Sequence, residues 1–363
     1  MKILLVITKA EIGGAQTFIL TLARGLKAAQ QEVVVAAGEG DFLLGKLAKS
    51  NINFIRLKSL KRSHNPLQIF SFVKELKQIL DKDDFSIVHF NSTNTLPGAI
   101  AAKLAKKKIR TIFTIHGLSV LDSNYKANGL IKILFKLYFK FFLKFIDRPV
   151  FVSCYNQQEA QKQSIAAQGV VIYNGLDLSD DYFLSREDAR QELSLLINQE
   201  IKESDYIIGS IGRLAVQKNY DFLIPLWPEI KNILPNARLI IIGEGPEREK
   251  LEELIKSSNF AEDILLPGET AQASRLLKGF DLFLLPSIYE GLSISLIEAV
   301  FSGVNILASD VGGNSEVIGS ENCFSLTDAS FLDKLKNLRK TEERSNIFTA
   351  QEMVDKYLKE YEV

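Results

Sequence analysis

The chain is poor in the residues that would give an early answer. Its two cysteines, Cys154 and Cys323, stand far apart and form no CxxC pair, so neither a disulfide framework nor a zinc site is expected, and a reducing cytoplasm fits. It has three histidines (His64, His89 and His116), and no His or Asp pair stands at metal-ligand spacing, so no metal and no cofactor is expected. No Asp-x-Asp dyad occupies a plausible site, the acids around Asp83-Asp84 standing just before a strand. No run of about 18 uncharged apolar residues exists, so a spanning helix is not expected. The opening run Met1 to Ile7 is too short for a signal-peptide core with flanks and reads as a first buried strand. There is no internal repeat, and no Gly-x-Gly-x-x-Gly follows the first strand, which speaks against an NAD-dependent oxidoreductase.

What is present describes an ordinary globular chain. Hydrophobic residues make up 46% and charged residues 24% of 363, a length that favours two domains over one core. The net charge of zero conceals an asymmetry, because residues 1–175 hold 25 of the 44 basic and 11 of the 44 acidic side chains. The first half is therefore drawn to something anionic, unless the two halves serve only to attract each other.

Short runs rich in Val, Ile and Phe alternate with helix-period segments throughout. Strands are predicted at Lys2–Thr8, Glu32–Ala37, Asn53–Leu57, Ser86–Phe90, Thr111–Ile115, Pro149–Ser153 and Val170–Tyr173. A second series follows at Tyr206–Gly212, Arg238–Gly243, Asp263–Leu266, Asp281–Pro286 and Val304–Ala308. Fully apolar strands flanked by helices imply parallel sheets buried on both faces. The expected class is α/β, two Rossmann-like doubly wound domains at 1–175 and 176–345. Ligands in such sheets sit beyond the carboxyl ends of strands, and two sheets facing each other would form a cleft.

Candidate functional residues cluster at those addresses. Glu290 lies in the turn after the strand Asp281–Pro286, and Glu298 follows just inside a helix. Eight residues at helical rise span about 12 Å, comparable with the reach from sugar to ribose in a nucleotide sugar. Carboxylates accept hydrogen bonds from sugar hydroxyls, and helix-start N–H groups suit a diphosphate. Taken alone, the same acids could be a dipole-favoured first-turn residue and a solvated charge. After the strand Tyr206–Gly212 come Arg213 and Lys218, which can neutralise charge on a leaving diphosphate or be plain surface cations. His116 ends an apolar strand before Gly117, and Gly13 and Gly14 follow the first strand, where a missing side chain lets backbone approach a ligand. His89 reads as a core residue, and His64 lies in a polar loop.

These pieces together resemble the retaining GT-B glycosyltransferases of family four, also called glycosyl transferases group 1. The resemblance rests on Glu290-x7-Glu298, on Gly212-Arg213 with Lys218, on Gly243-Glu244-Gly245-Pro246, on Asn174-Gly175, on Gly13-Gly14 and on His116-Gly117, in the family's order. It implies hexosyl transfer from a nucleotide-diphosphate sugar such as a UDP-sugar to a glycan or lipid-linked glycan, in cell-surface polysaccharide synthesis, with retention and without metal. It implies further that Arg213 and Lys218 bind the diphosphate, Glu298 the ribose and Glu290 the sugar. Gly212, Gly243, Gly291, Leu292, Ser293 and Ile294 would line the donor site, Leu266 and Pro267 would frame the base, and Gly13, Gly14 and His116 would face the acceptor, with 346–363 returning as a helix to the first domain. Two departures stand out. Many relatives have Glu-Gly-Phe-Gly where this chain has Glu290-Gly291-Leu292-Ser293, and Gln16 stands where relatives often carry an acid.

Residues 130–148 place Lys132, Lys136, Lys140 and Lys144 every four residues among Phe and Leu. The segment reads either as a core helix with outward lysines or as a peripheral contact with an anionic membrane. Nucleic acid is not an expected partner, since no nucleic-acid motif accompanies the basic residues. A sugar-nucleotide epimerase of the same architecture and a non-catalytic nucleotide-sugar-binding protein remain as alternatives.

Overall fold

The computed structural model describes residues 1–63, 65–125, 128–166, 168–178, 182–339 and 345–362, and forms two compact units, Met1–Asp177 with Ile347–Val363, and Leu178–Asn346. His64 lies outside the described residues.

The first unit alternates β1 (Lys2–Lys9), α1 (Gly14–Ala28), β2 (Glu32–Glu39), α2 (Phe42–Lys49), β3 (Asn53–Arg56), α3 (Pro66–Lys82), β4 (Ile87–Asn91), α4 (Gly98–Lys103), β5 (Arg110–Ile115), α5 (Gly129–Leu143), β6 (Arg148–Phe151), α6 (Cys154–Lys162) and β7 (Val170–Val171). Its strands pair in parallel in the order β3-β2-β1-β4-β5-β6-β7. Period-two alternation explains why β1 is apolar throughout: Ile3, Leu5 and Ile7 join the core with α1 and α2, whereas Leu4 and Val6 join the core under α3, α4 and α5. Helix starts follow local chemistry, Asn65 capping Leu67 N–H ahead of Pro66, and Asn128 capping Leu130 N–H.

The second unit runs α7 (Arg186–Ile197), β8 (Tyr206–Ile211), α8 (Trp227–Ile233), β9 (Ala237–Ile242), α9 (Arg248–Ser257), β10 (Ile264–Gly268), β11 (Leu282–Leu285), α10 (Ile294–Ser302), β12 (Asn305–Ser309), α11 (Asn314–Ile318), β13 (Cys323–Phe324) and α12 (Asp328–Lys336). The order is β10-β9-β8-β11-β12-β13, again parallel. The last helix, α13 (Ala350–Glu362), packs against α1 and places Met353, Val354, Tyr357 and Tyr361 in the core of the first unit. One strand, β13, has no counterpart in the sequence reading, because two residues between polar segments carry no period. The expectation for Glu290 and Glu298 needs a correction. Helix α10 opens only at Ile294, so the first half of that interval is turn and a helical rise does not measure it.

Candidate functional site

In the second unit the strand order reverses between β8 and β11, which pair directly. Two turns leave the carboxyl ends of these strands side by side, and polar side chains stitch them together. Asn219 donates to the Pro286 carbonyl at 3.1 Å, Gln217 donates to the Tyr289 carbonyl at 3.0 Å, and Ile288 N–H donates to the Gln217 carbonyl at 2.8 Å. Gly243, after β9, approaches from the other side of β8. A Cβ there would lie 1.9 Å from the Gly212 carbonyl oxygen, so no other residue fits. Gly312, at φ +57°, is equally constrained: its Cβ would lie 2.3 Å from the Glu290 carbonyl oxygen. Gly313 N–H donates to the Gly291 carbonyl at 2.9 Å, fixing the far side of the same turn.

This scaffold buries a carboxylate. Glu290 is 7% exposed and accepts from Lys218 Nζ and from Ser287 Oγ, each at 2.7 Å, with Gln217 Nε2 at 3.4 Å. The sequence reading gave Lys218 and Glu290 to different parts of a ligand; here each is the other's counter-ion. Arg213, on the same turn, is exposed and makes no hydrogen bond or ion pair among the described residues, so its fork is free for an anion. Ser293 holds the N-cap of α10, its Oγ accepting from Leu296 N–H at 3.4 Å. This gives the Ser293 side chain a local structural role, and leaves the N–H groups of Ile294 and Ser295 at the open helix start. Leu292 and Gly291 are buried beneath it.

Glu298 lies on the fifth residue of α10 beside Ser274, whose hydroxyl meets Tyr182 Oη at 2.6 Å. Burial pushes this carboxyl up to about 7, opposed by the Ser274 hydrogen bond. A solvated surface acid would not behave so. Leu266 and Pro267 sit at a register shift of β10, two strands from β8, where Arg248 ties the Leu266 carbonyl (3.2 Å) to the Gly243 carbonyl (3.3 Å). Among the described residues no group of three or more His, Cys, Asp or Glu could hold a metal ion.

The first unit holds Gly13, Gly14 and His116, near its own reversal between β1 and β4. Gly13 and Gly14 form the entry to α1, and Gln16 Nε2 donates to the Lys9 carbonyl at 2.8 Å. An acid at position 16 could not donate there, so the departure from relatives is matched by a different local bond. His116 Nε2 lies 3.2 Å from Asn91 Oδ1, and Phe18 packs edge-on against its ring at 4.7 Å. The Asn91 amide nitrogen donates to the His89 carbonyl at 3.1 Å, which orients its oxygen toward His116. His116 Nε2 therefore carries the proton and Nδ1 is the acceptor. Burial lowers His116 to about 4, so the ring is neutral at pH 7.

Asn91→Asp should place a carboxylate against Nε2–H and raise the His116 pKa by roughly 1–3 units. Titration of the His116 ring by NMR checks this, and an unmoved pKa would refute the assigned pairing.

Sequence reasoning missed Asn91, although it ends β4 at the same kind of address as His116. It also missed Ser287, Gln217, Tyr182 and Ser274, which carry no pattern of their own. His89 is a buried core residue, with a fuller role than expected. Tyr361 Oη meets its Nδ1 and Thr114 Oγ1 its Nε2, both at 2.7 Å, and Thr114 also meets Tyr357 Oη at 2.8 Å.

The sequence matches the models of two families. Glycosyltransferase Family 4 covers residues 12–180, and Glycosyl transferases group 1 covers residues 195–351. A UDP-Gal:alpha-D-GlcNAc-diphosphoundecaprenol alpha-1,3-galactosyltransferase of Escherichia coli is 25% identical over 69% of this chain, a stretch that spans 66% of that enzyme, just under two thirds of its length. The putative glycosyltransferase EpsF of Bacillus subtilis is 25% identical over 85% of this chain and 79% of its own. Among solved structures, a sucrose-phosphate synthase from Thermosynechococcus elongatus superposes with a TM-score of 0.82 at 17% identity, covering 99% of this chain and 98% of that one. Anabaena HepE, in complex with UDP and glucose, gives 0.80 at 19% identity, covering 99% of each chain. At such identities the structures establish the fold: two parallel-sheet Rossmann-like domains of GT-B type.

Proposed function

The chain belongs to the group 1 glycosyl transferases, and we propose that it moves a sugar from a nucleoside-diphosphate sugar to a hydroxyl of a glycan or lipid-linked glycan presented at a membrane. The observation that carries this reading is the buried Lys218–Glu290 pair with Arg213 free beside it, all at the strand reversal of the second unit. A diphosphate placed there meets a guanidinium, an ammonium and the start of α10, and its negative charge weakens the hold of Lys218 on Glu290. The carboxylate is then available to sugar hydroxyls while the lysine takes the phosphate. Glu298, eight residues on, accepts from the ribose, and Leu266 and Pro267 frame the base.

In this reading Arg213 and Lys218 neutralise the charge that grows on the leaving diphosphate, so no divalent cation is needed. The acceptor hydroxyl attacks from the face the diphosphate leaves, and the leaving phosphate takes its proton. The sugar keeps its anomeric configuration, with Glu290 positioning rather than attacking. His116, neutral with Nδ1 as acceptor, receives a hydrogen bond from a substrate hydroxyl. Cys154 and Cys323 form no disulfide, which suits a cytoplasmic setting, and HepE, solved with UDP and glucose, makes uridine the first base to try.

Nucleoside diphosphates tested by thermal melting decide the donor site. At about a hundredfold excess over Kd the cognate one should stabilise the fold by about 2.7 kcal/mol. No shift with uridine, guanosine or adenosine diphosphate would remove the assignment. With the donor known, transfer that persists in a chelator and yields a product of retained configuration by NMR completes the test.

A further inference from the structure

Helix α5 is wrapped in apolar residues, yet only part of it is covered. Phe139, Phe142 and Leu143 are buried in the core shared with α3 and α4. Leu130, Ile131, Ile133, Leu134, Leu137 and Phe141 are all more than half exposed. At 100° per residue Leu130, Leu134, Leu137 and Phe141 fall on one line along the helix. Two more exposed side chains, Leu67 (78%) and Phe70 (68%), stand on the first turns of α3, a helix that covers the same face of the sheet. Both helices begin at the carboxyl edge of the sheet, the edge that carries Asn91 and His116. Exposed leucine, isoleucine and phenylalanine side chains in this number, on two helices of the same sheet face, mark a contact that the isolated chain does not satisfy.

The charges beside it are of one sign. Lys132 is tied to the Asp122 carbonyl at 3.1 Å, but Lys136, Lys140 and Lys144 make no hydrogen bond or ion pair among the described residues. No acid occurs from Gly129 to Ile146, and the residues of the whole first unit include 27 basic against 16 acidic. Two α5 helices laid together would set lysine rows against each other with nothing to neutralise them, which disfavours a second copy as the occupant. No helix among the described residues is long and apolar enough to cross a membrane. Exposed apolar side chains beside unopposed cations match the chemistry of an anionic layer with an apolar interior.

We propose that α5, with the first turns of α3, docks the first unit on an anionic lipid bilayer, the leucine and phenylalanine side chains entering the acyl boundary and Lys136, Lys140 and Lys144 meeting lipid phosphates. The inference rests on the lipid-linked acceptor reading for its purpose: a docked edge would hold His116 near an acceptor anchored in the same bilayer. Its test needs neither donor nor acceptor.

The 363-residue chain is floated with vesicles of equal parts phosphatidylglycerol and phosphatidylcholine, and with phosphatidylcholine alone. It should float with the first and much less with the second. Leu134→Glu with Leu137→Glu changes exposed side chains and should reduce vesicle affinity by roughly a hundredfold. Lys140→Gln with Lys144→Gln should reduce it by roughly thirtyfold, on anionic vesicles alone. Melting temperature and nucleotide stabilisation should stay at wild-type values in both, which separates failure of docking from failure of the donor site. Equal flotation of wild type and the glutamate variant overturns the proposal. So does an absence of flotation, or a wild-type dimer in solution that the glutamate variant abolishes.

Discussion

Lys218→Ala is expected to lower kcat/KM by roughly a thousandfold, since it removes the cation placed against the leaving diphosphate. It should also destabilise the second unit, for a different reason. Glu290 is 8% exposed at its side chain and loses its counter-ion, and breaking a buried pair from one side costs about 3 kcal/mol. The two effects can be separated. Adding Glu290→Gln to Lys218→Ala removes the stranded charge and should restore most of the melting temperature, but none of the activity. A Lys218→Ala enzyme within threefold of wild type would end the role given to this residue, whatever its stability.

Glu298→Ala should weaken donor binding by roughly a hundredfold with a much smaller effect on turnover at saturation. Two charge-assisted hydrogen bonds from ribose hydroxyls are lost, each worth about 1.5–3 kcal/mol. Because burial raises this carboxyl to about 7, contact with the donor would give donor affinity a pH dependence that an acid without that contact would not give. Ribose hydroxyls donate to the ionised form, so affinity should fall as pH drops below about 7, by at most tenfold per unit. Stability runs the other way. The folded pKa exceeds the unfolded value, so the contribution is full below about 4.5 and is lost as pH rises from there to about 7. Calorimetric titration of wild type and Glu298→Gln between pH 5.5 and 8.5, as a rough working range, checks this; a pH-independent wild-type affinity would contradict the ribose role.

The fold was legible because parallel strands buried on both faces read as continuous apolar runs. A strand was expected at each of β1 to β12, although the edge strands β3 and β7 hold no fully buried residue, and β13 is too short to announce itself. The strand-end addresses of Arg213, Glu290 and His116 followed from the same reading. Their partners did not. Lys218 and Glu290 are 72 positions apart, and nothing in either segment says that one neutralises the other. His89 and Tyr361 are 272 apart, and only the return of α13 brings them together. The outer surface of α5 was ambiguous for another reason: outside its lysine stripe the helix is apolar on every side, so the pattern does not choose which apolar side is buried.

That return has a consequence for how the molecule is made. Residues 178–346 form one uninterrupted stretch, whereas the first unit needs its last 17 residues before its sheet is covered. A ribosome releasing this chain delivers a second unit that can close on its own, while Phe18, His89 and Thr114 wait for Tyr357 and Tyr361. The first unit is begun first and completed last. Removal of α13 would leave that unit's interior open to chaperones and proteases, though every residue assigned to sugar transfer lies before it.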